Sequence, residues 1–311
     1  MVTTPQIPDW LARLYPFKPK AFITPRGARL SYVDHGPRRD EAVLLLHGNP
    51  TWSFYYRDLI RDLTAGGLRC IAPDHVGMGL SEKPPDYDYT LATRIADLEA
   101  LVGALGLKRV HLVVHDWGGA IGFGFAARHP EMIDRLVILN TAAFPANHMP
   151  RRIALCALPL LGPLIVRGCN GFAGPATWMA MRRRVMMPDE KQAYLFPYDS
   201  WANRVAVNAF VRDIPLTPSH PSWATLAAVE TGLPLFRDRP ALIVWGGLDF
   251  CFTDEFLERW QVALAANQCT RIADAGHYVL EDAAPQVIPL ICAHLLNVPG
   301  GVADPALGDP R

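Results

Sequence analysis

The sequence predicts an α/β fold, with a mostly parallel, doubly wound sheet and an inserted helical cap. Three short apolar runs, Ala42–Leu46, Val110–Val114 and Ala241–Trp245, are each followed by a turn and then by a helical pattern. This order is typical of the βα units of a parallel sheet. The strand pattern stops between about Phe144 and Arg237, where Pro, Met, Trp and Arg become frequent. The interruption indicates a helical insertion.

The remaining elements complete this arrangement. Arg69–Ala72 and Arg135–Leu139 are predicted as further strands, and Arg29–Val33 alternates like an early antiparallel one. Trp201–Val211 has a helical pattern. We therefore expect a core formed by residues 1–143 and 238–299, a cap at 144–237 and a loose tail at 300–311. The alternative for the cap is a run of ordinary peripheral helices.

The composition excludes two classes of protein. The 311 residues carry 30 basic and 30 acidic side chains, so the formal net charge is zero. A nucleic-acid-binding protein carries a cationic excess, and the basic residues here are scattered apart from Arg182, Arg183 and Arg184. With 50% apolar and 10% aromatic residues, the chain can bury a core and is not predicted to be disordered.

The sequence predicts neither a membrane span nor a metal site. The longest apolar stretch, Ile153–Val166, contains two prolines and is shorter than the roughly 18 to 20 residues that a membrane helix needs. The N-terminal residues lack the pattern of a secretory signal, so a cytoplasmic location is predicted. No CxxC or CxxxC spacing of a zinc site or a disulfide scaffold occurs among the six cysteines, which are Cys70, Cys156, Cys169, Cys251, Cys269 and Cys292.

The strongest motif is His115-Asp116-Trp117-Gly118-Gly119, which lies between an apolar strand and a helical pattern. A sharp strand-to-helix turn of this kind lifts one side chain above the sheet edge, close to backbone N–H groups. That side chain is Asp116, a candidate nucleophile. The alternative is that Asp116 only caps the following helix, because Asp is a favoured N-cap residue.

Two further residues complete a candidate triad. His277 lies in the loop Asp274–Tyr278, and Asp249 follows the strand that ends at Trp245. The order of nucleophile, acid and histidine is that of the α/β-hydrolase fold. A carboxylate nucleophile forms an ester with carbon, which water must then cleave. His277, oriented by Asp249, is the predicted base for that water.

Several segments resemble the signature segments of haloalkane dehalogenases. The resemblance extends from about Tyr15 to Leu296, and the segments that carry it are His47–Ser53, Pro73–Ser81, His115–Gly119 and Ala275–Tyr278. It implies that Asn49 and Trp117 donate N–H groups to the departing halide. The alternatives are a turn residue before Pro50 for Asn49 and core packing for Trp117.

The resemblance also leaves the reaction open. The stretch Ile138–Thr141 has no carboxylate at the position where some dehalogenases carry the acid, so Asp249 is the predicted acid, as in the third dehalogenase subfamily. Similar proteins include β-lactone decarboxylases of bacterial olefin synthesis. The first hypothesis is therefore haloalkane hydrolysis to an alcohol and halide. The second is decarboxylation of a cis-3-alkyl-4-alkyloxetan-2-one to a cis-alkene, which implies association with olefin-synthesis enzymes.

Two other functions are weaker. An epoxide hydrolase also uses an Asp nucleophile but needs two cap tyrosines as proton donors, and only Tyr194 and Tyr198 are available in the cap. A binding protein of the same fold would not need the acidic group of Asp116.

The substrate is predicted to be a small hydrophobic molecule. An apolar run, Ile153–Leu161, and several Met and Trp residues either line a hydrophobic slot or form the cap core. No cofactor or metal is predicted, since Gly77–Ser81 lacks the spacing of a phosphate loop. Arg182, Arg183 and Arg184 are expected on a solvated face. The residues considered for the slot and its mouth are Trp178, Met179, Met181, Met186 and Met187, with Trp201 and Trp223 over the mouth.

Overall fold

Eight strands form a single sheet in the computed structural model, which describes residues 7–146, 149–265 and 268–296. The strands are β1 (Lys20–Ile23), β2 (Arg29–His35), β3 (Glu41–Leu46), β4 (Cys70–Asp74), β5 (Arg109–Asp116), β6 (Ile133–Thr141), β7 (Ala241–Gly246) and β8 (Gln268–Ile272). Their order in the sheet is β1-β2-β4-β3-β5-β6-β7-β8. Only β2 runs antiparallel to its neighbours β1 and β4, and all other pairs are parallel.

Helices cover the sheet and fill the long connection between β6 and β7. The α-helices are α1 (Asp9–Ala12), α2 (Arg57–Ala65), α3 (Leu91–Ala104), α4 (Trp117–Arg128), α5 (Arg151–Ala157), α6 (Leu161–Pro163), α7 (Ala173–Met179), α8 (Pro188–Leu195), α9 (Val205–Arg212), α10 (Trp223–Gly232), α11 (Asp254–Leu264), α12 (Val279–Asp282) and α13 (Ala284–Leu296). Single turns of 3₁₀-helix lie at Ser53–Tyr56, Pro130–Met132, Phe196–Tyr198, Ala202–Arg204 and Leu233–Phe236, and a π-helical turn at Leu164–Gly168.

The predicted fold class is confirmed, and each of the six predicted strands lies within or overlaps a strand of the structure. Parallel strands are covered on both faces, so they are continuously apolar rather than alternating. All side chains of β4, β7 and the last seven residues of β5 are buried. β1 and β8 were missed because they are edge strands, and four of the five residues of β8 are not buried.

The segment between β6 and β7 contains only helices and turns among its described residues. It includes α5 to α10, and the predicted helix Trp201–Val211 corresponds to a 3₁₀ turn followed by α9. We refer to residues 144–237 as the cap segment. Its boundaries stay a prediction, and the tail predicted at 300–311 lies outside the described residues. Among the residues described, no helix has both the length and the apolar character required to cross a bilayer.

Candidate active site

Asp116 ends β5 in a strained turn. Its φ of 53° lies in the left-handed region, which side chains other than Gly rarely adopt. Two glycines make room for the turn. A Cβ on Gly48 would lie 2.0 Å from Asp116 Oδ1, and a Cβ on Gly118 would lie 2.0 Å from the Leu46 carbonyl oxygen. The small residues around Asp116 therefore allow β3, β5 and α4 to approach one another closely.

The carboxylate of Asp116 does not cap its own helix. It makes no hydrogen bond with an N–H group of the first turn of α4. Instead, Oδ1 accepts a hydrogen bond of 2.6 Å from the backbone N–H of Asn49. The Thr141 hydroxyl donates to the backbone carbonyl of Asp116, which joins the turn to β6. The capping alternative is therefore wrong, and the second oxygen, Oδ2, is directed toward a histidine.

That histidine is His277, which lies between two carboxylates. Its Nδ1 is 2.7 Å from Asp249 Oδ2, and its Nε2 is 3.6 Å from Asp116 Oδ2. All three residues are buried. Asp116 and Asp249 follow β5 and β7, whereas His277 follows β8. The carboxyl ends of parallel strands thus bring together residues that are far apart in sequence.

The two carboxylates determine the charge of His277. Burial alone would lower its pKa, but the charges of Asp249 and Asp116 outweigh burial and raise the pKa to about 10. Burial would likewise raise the pKa of Asp116, and the contact with His277 lowers it below its usual range. The site therefore favours an imidazolium beside a carboxylate when no substrate is bound.

Asn140 holds Asp249 in place and was not identified as a site residue from the sequence. Its Nδ2 donates to Asp249 Oδ2 at 3.0 Å and to the Gly246 carbonyl at 3.2 Å, and its Oδ1 accepts from the Gly246 N–H at 2.8 Å. The Cys251 N–H donates to the other oxygen of Asp249 at 2.7 Å. Asn140 lies near the end of β6, where the sequence has no carboxylate. Its amide instead orients Asp249, the acid that follows β7.

His115 supports the loop that carries His277. Its ring contacts the His277 ring, with centroids 4.5 Å apart and planes tilted by 38°, and its Nε2 donates to the His277 carbonyl at 2.9 Å. Burial, together with the charge of His277, lowers the pKa of His115 to about 3. The ring is therefore neutral, as the tautomer that donates through Nε2 requires. Its place next to Asp116 in the sequence was the only signal for this role.

Asn49 and Trp117 lie beside Asp116, the candidate nucleophile. Asn49 Nδ2 donates to the Val207 carbonyl of α9 at 3.1 Å, which leaves its second hydrogen for a group in the cavity. The Trp117 ring packs against Phe210 with centroids 5.4 Å apart. The Arg94 guanidinium lies 3.6 Å from the Phe210 centroid and 5.7 Å from that of Trp117. Arg94 was missed, since nothing in α3 marks this arginine in the sequence.

A largely apolar cavity of about 260 Å³ covers these residues. Asn49, Asp116, Trp117 and His277 contribute to its lining. Arg152 is the other charged residue on the cavity wall, and its side chain is exposed to solvent. The apolar lining includes Phe144, Ile153, Cys156, Phe172, Met179 and Leu226. An apolar cavity over a few polar groups is suited to a small hydrophobic ligand.

The predictions for the cap side chains are only partly correct. Ile153, Cys156 and Met179 line the cavity, whereas Trp178 and Met187 are exposed and Met181 and Met186 are buried in the core. Trp201 and Trp223 are not part of the cavity lining. Helical periodicity could not assign these side chains because the cap consists of helices too short to establish one face.

The arginine cluster predicted on a solvated face has a structural function. The backbone N–H groups of Arg182, Arg183 and Arg184 donate to the carboxylate of Asp282. The Arg184 side chain forms ion pairs with Glu190 and Glu281. Only Arg182 and Arg183 are exposed. The cluster therefore attaches the cap segment to α12, next to His277.

The two cap tyrosines considered as proton donors for an epoxide lie elsewhere. The Tyr194 hydroxyl donates to Glu281 Oε1 at 2.7 Å, and the Tyr198 hydroxyl donates to the Thr51 carbonyl at 3.3 Å. Neither residue lines the cavity. The structure therefore does not supply the donor pair that epoxide opening needs.

Comparison with known proteins identifies the family. Residues 41–284 match the sequence family described as the alpha/beta hydrolase fold, and this range is more than half of the chain. The protein belongs to the α/β-hydrolase family. The order of Asp116, Asp249 and His277 along the chain is that of this family.

Enzymes of two kinds are among the relatives of this α/β-hydrolase. A cis-3-alkyl-4-alkyloxetan-2-one decarboxylase of Shewanella oneidensis is 46% identical over 284 residues, which cover 89% of this chain and 88% of the relative. A haloalkane dehalogenase of Mycobacterium marinum is 31% identical, with 83% of this chain and 86% of the relative covered. The crystal structure of a haloalkane dehalogenase from Agrobacterium tumefaciens C58 is 28% identical, with a TM-score of 0.77 and coverage of 90% and 96%. The resemblance seen in the sequence is thus confirmed.

Proposed function

We propose that this enzyme decarboxylates a cis-3-alkyl-4-alkyloxetan-2-one to a cis-alkene and CO₂. The sequence alone favoured haloalkane hydrolysis. The observation that reverses this order is the 46% identity with a decarboxylase of that specificity, against 31% with a dehalogenase. The apolar cavity over Asp116 supports the proposal, because the two alkyl groups of such a lactone need an apolar environment.

The proposed reaction begins with Asp116. Its Oδ2 attacks the ring carbon that carries the lactone oxygen, so that a carbon–oxygen bond forms as the ring carbon–oxygen bond breaks. The product is an Asp116 ester bearing a free carboxylate. The bond to that carboxylate then breaks and releases CO₂, while its electron pair forms the double bond and expels Asp116 as carboxylate. Inversion followed by anti elimination converts the cis-lactone to the cis-alkene, and neither water nor a proton is consumed.

The other site residues are assigned roles in the same scheme. Asn49 and Trp117 donate N–H groups to the carboxylate that forms when the ring opens. His277 is held as an imidazolium by Asp249 and Asp116, so it stabilises the same negative charge instead of removing a proton. This charge state suits a reaction that needs no general base. In haloalkane hydrolysis, by contrast, His277 would have to lose its proton before it could activate water.

Haloalkane hydrolysis is the second candidate because Asn49 and Trp117 both border Asp116 in the cavity, and two neutral donors suit a halide. Association with olefin-synthesis enzymes stays a prediction that accompanies the lactone substrate. The cytoplasmic location also stays a prediction.

The two candidates differ in product and in isotope incorporation. Purified enzyme is given a long-chain cis-β-lactone and, separately, 1-bromobutane, both in ¹⁸O-labelled water. We expect cis-alkene and CO₂ from the lactone, at a rate at least 100-fold above any release of bromide, and no label in the peptide that contains Asp116. Hydrolysis of an alkyl ester would place solvent oxygen in that carboxylate.

Asp116→Ala is the control for this experiment. This substitution removes the carboxylate that acts as nucleophile in the proposed scheme. Circular dichroism checks that the variant keeps its fold. We expect no alkene from the variant. Alkene formation that continues without Asp116 would contradict the mechanism, and rapid bromide release with ¹⁸O in Asp116 would establish the dehalogenase in place of the decarboxylase.

A further inference from the structure

An apolar surface on the cap segment is not explained by the active site. Five leucines between residues 155 and 164 are exposed, with Leu160 at 87% and Leu164 at 59% exposure. Isolated exposed leucines are common, but a cluster of this kind marks a contact surface. Its elements, α5, α6 and the π-helical turn, follow one another and pack together. We call this surface the leucine face, formed by Leu155, Leu158, Leu160, Leu161 and Leu164.

Arginines flank the residues of the leucine face on both sides in the sequence. Arg151 and Arg152 precede it and Arg167 follows it. No Asp or Glu occurs in the sequence between Asp134 and Asp189. Among the described residues, none of these three arginines forms a salt bridge, and the Arg152 guanidinium instead lies 5.6 Å from the centroid of the Phe250 ring. An apolar face with a cationic border is complementary to a lipid surface with anionic headgroups.

An aromatic side chain occupies the same border. The Arg167 guanidinium lies 4.5 Å from the centroid of the Trp201 ring, and Arg167 Nε donates to the Trp201 carbonyl at 3.1 Å. Trp201 is exposed. Tryptophan and arginine side chains are enriched where a protein meets the headgroup region of a membrane. The pair therefore favours a lipid surface over a protein partner, whose contact would need acidic groups of its own.

The leucine face and the active-site cavity share one helix. Ile153 and Cys156 of α5 line the cavity, whereas Leu155 of the same helix belongs to the leucine face. Arg152 is exposed and also lines the cavity, so the cavity reaches the surface at the start of α5. Its volume of about 260 Å³ is below the roughly 300 to 1,000 Å³ of common ligand pockets. Long alkyl chains would therefore extend out past Arg152.

We propose that the leucine face docks on an anionic lipid surface and that the cavity opens toward that surface. The protein then lies on the membrane without crossing it. A long-chain apolar substrate, whose identity depends on the function proposed above, would pass from the lipid into the cavity along α5. The docking itself does not depend on which substrate is turned over.

Sedimentation with vesicles tests the docking directly. The full-length protein is mixed with vesicles of phosphatidylcholine alone or with 30% phosphatidylglycerol, and the bound fraction is measured at low and high salt. We expect binding to the anionic vesicles that weakens in salt. The double variant Leu160→Glu/Leu164→Glu should bind at least tenfold more weakly, because it places two charges where two apolar side chains enter the lipid.

Val185→Glu/Val262→Glu is the matched control, since it also adds two negative charges at exposed apolar side chains, 87% and 74% exposed, that lie outside the leucine face. We expect it to bind vesicles as the unchanged protein does. Turnover of a short, water-soluble β-lactone should change less than twofold in either variant, and the sedimentation result stands whether or not the lactone is turned over.

Three results would overturn the proposal. The first is failure of the unchanged protein to sediment with the anionic vesicles. The second is equal binding by the leucine variant. The third is self-association that the same two substitutions abolish, measured by analytical ultracentrifugation without lipid, because the leucine face would then bind a second copy of the chain.

Discussion

His277 carries a proton that stabilises the folded state over a definite range of pH. Burial lowers its pKa, but Asp249 and Asp116 together raise it from 6.5 to about 10. Because the folded state holds the proton more tightly than the unfolded state, this contribution to stability is present in full below about pH 6.5. It is lost progressively as the pH rises toward 10. Relative to His277→Gln, the unchanged protein should therefore lose unfolding free energy between pH 7 and 10, as measured in urea.

His115→Gln is the control for this measurement, because the His115 ring contacts the His277 ring but has a pKa lowered to about 3 by burial and by His277. Above pH 7 this histidine is neutral in both the folded and the unfolded state. The difference between the unchanged protein and His115→Gln should thus stay constant from pH 7 to 10. A constant difference for His277→Gln as well would show that His277 is not held as an imidazolium.

The three candidate triad residues could be found from the sequence because each one lies just after a strand or in a turn motif. Asp116, Asp249 and His277 each follow an apolar run or a turn motif that can be seen locally, so their convergence followed from the rule for parallel sheets. Asn140 and Arg94 could not be found in this way. Asn140 contacts Asp249 across 109 positions of sequence, and Arg94 reaches its ion-pair partner Asp213 across 119. These contacts arise only in the folded chain, where β6 pairs with β7 and Arg94 of α3 meets Asp213 at the C-terminal end of α9.

Among the helices, α12 connects His277 to the cap segment. Glu281 on α12 is buried and accepts from Arg57 of α2, from Arg184 and from Tyr194 of α8. Arg57 is also buried, and among the described residues its other acidic neighbours, Asp58 and Glu190, are both 3.5 Å away. Removing the charge of Glu281 would leave the Arg57 guanidinium without its main partner in an apolar environment. Such changes cost several kcal/mol.

We therefore expect Glu281→Gln to lower the free energy of unfolding by about 3 to 5 kcal/mol, measured in urea at pH 7.5. Glu230→Gln is the control, since Glu230 pairs with Arg259 at 2.8 Å where both side chains are partly exposed. Exposed pairs of this kind contribute up to about 1 kcal/mol. Equal losses for the two variants would mean that the Glu281 network is no stronger than a surface pair.

The sequence predicted core elements better than peripheral ones for a physical reason. β3, β5 and β7 are covered on both faces, so they need apolar side chains throughout, and their pattern is visible without knowledge of their neighbours. β1 and β8 lie at the sheet edges, where most of their side chains are not buried. The helices of the cap segment pack on a cavity and on one another. Their exposed leucines could not be distinguished from core residues by sequence alone.

On the scale of the molecule, the net charge is zero but the charge is unevenly distributed along the chain. Residues 144–188 contain six arginines and no acidic residue, so the rest of the chain carries a formal charge of −6. Arg184 is compensated by Glu190 and Glu281 in the structure, whereas Arg151, Arg152 and Arg167 border the leucine face. A localised cationic field attracts anionic surfaces even when the whole protein is neutral.

This separation of charge predicts behaviour on a cation-exchange resin. The isoelectric point calculated from the sequence is about 7.1, so at pH 8 the protein is slightly anionic and, with evenly distributed charge, would pass through. We expect it to be retained at low salt through the border of the leucine face and to elute as salt screens the field. The triple variant Arg151→Gln/Arg152→Gln/Arg167→Gln should pass through. The control variant Arg13→Gln/Arg38→Gln/Arg39→Gln removes three exposed arginines elsewhere and changes the net charge equally, so it should still be retained. If both triple variants elute together, net charge alone governs retention and the cationic border has no special role.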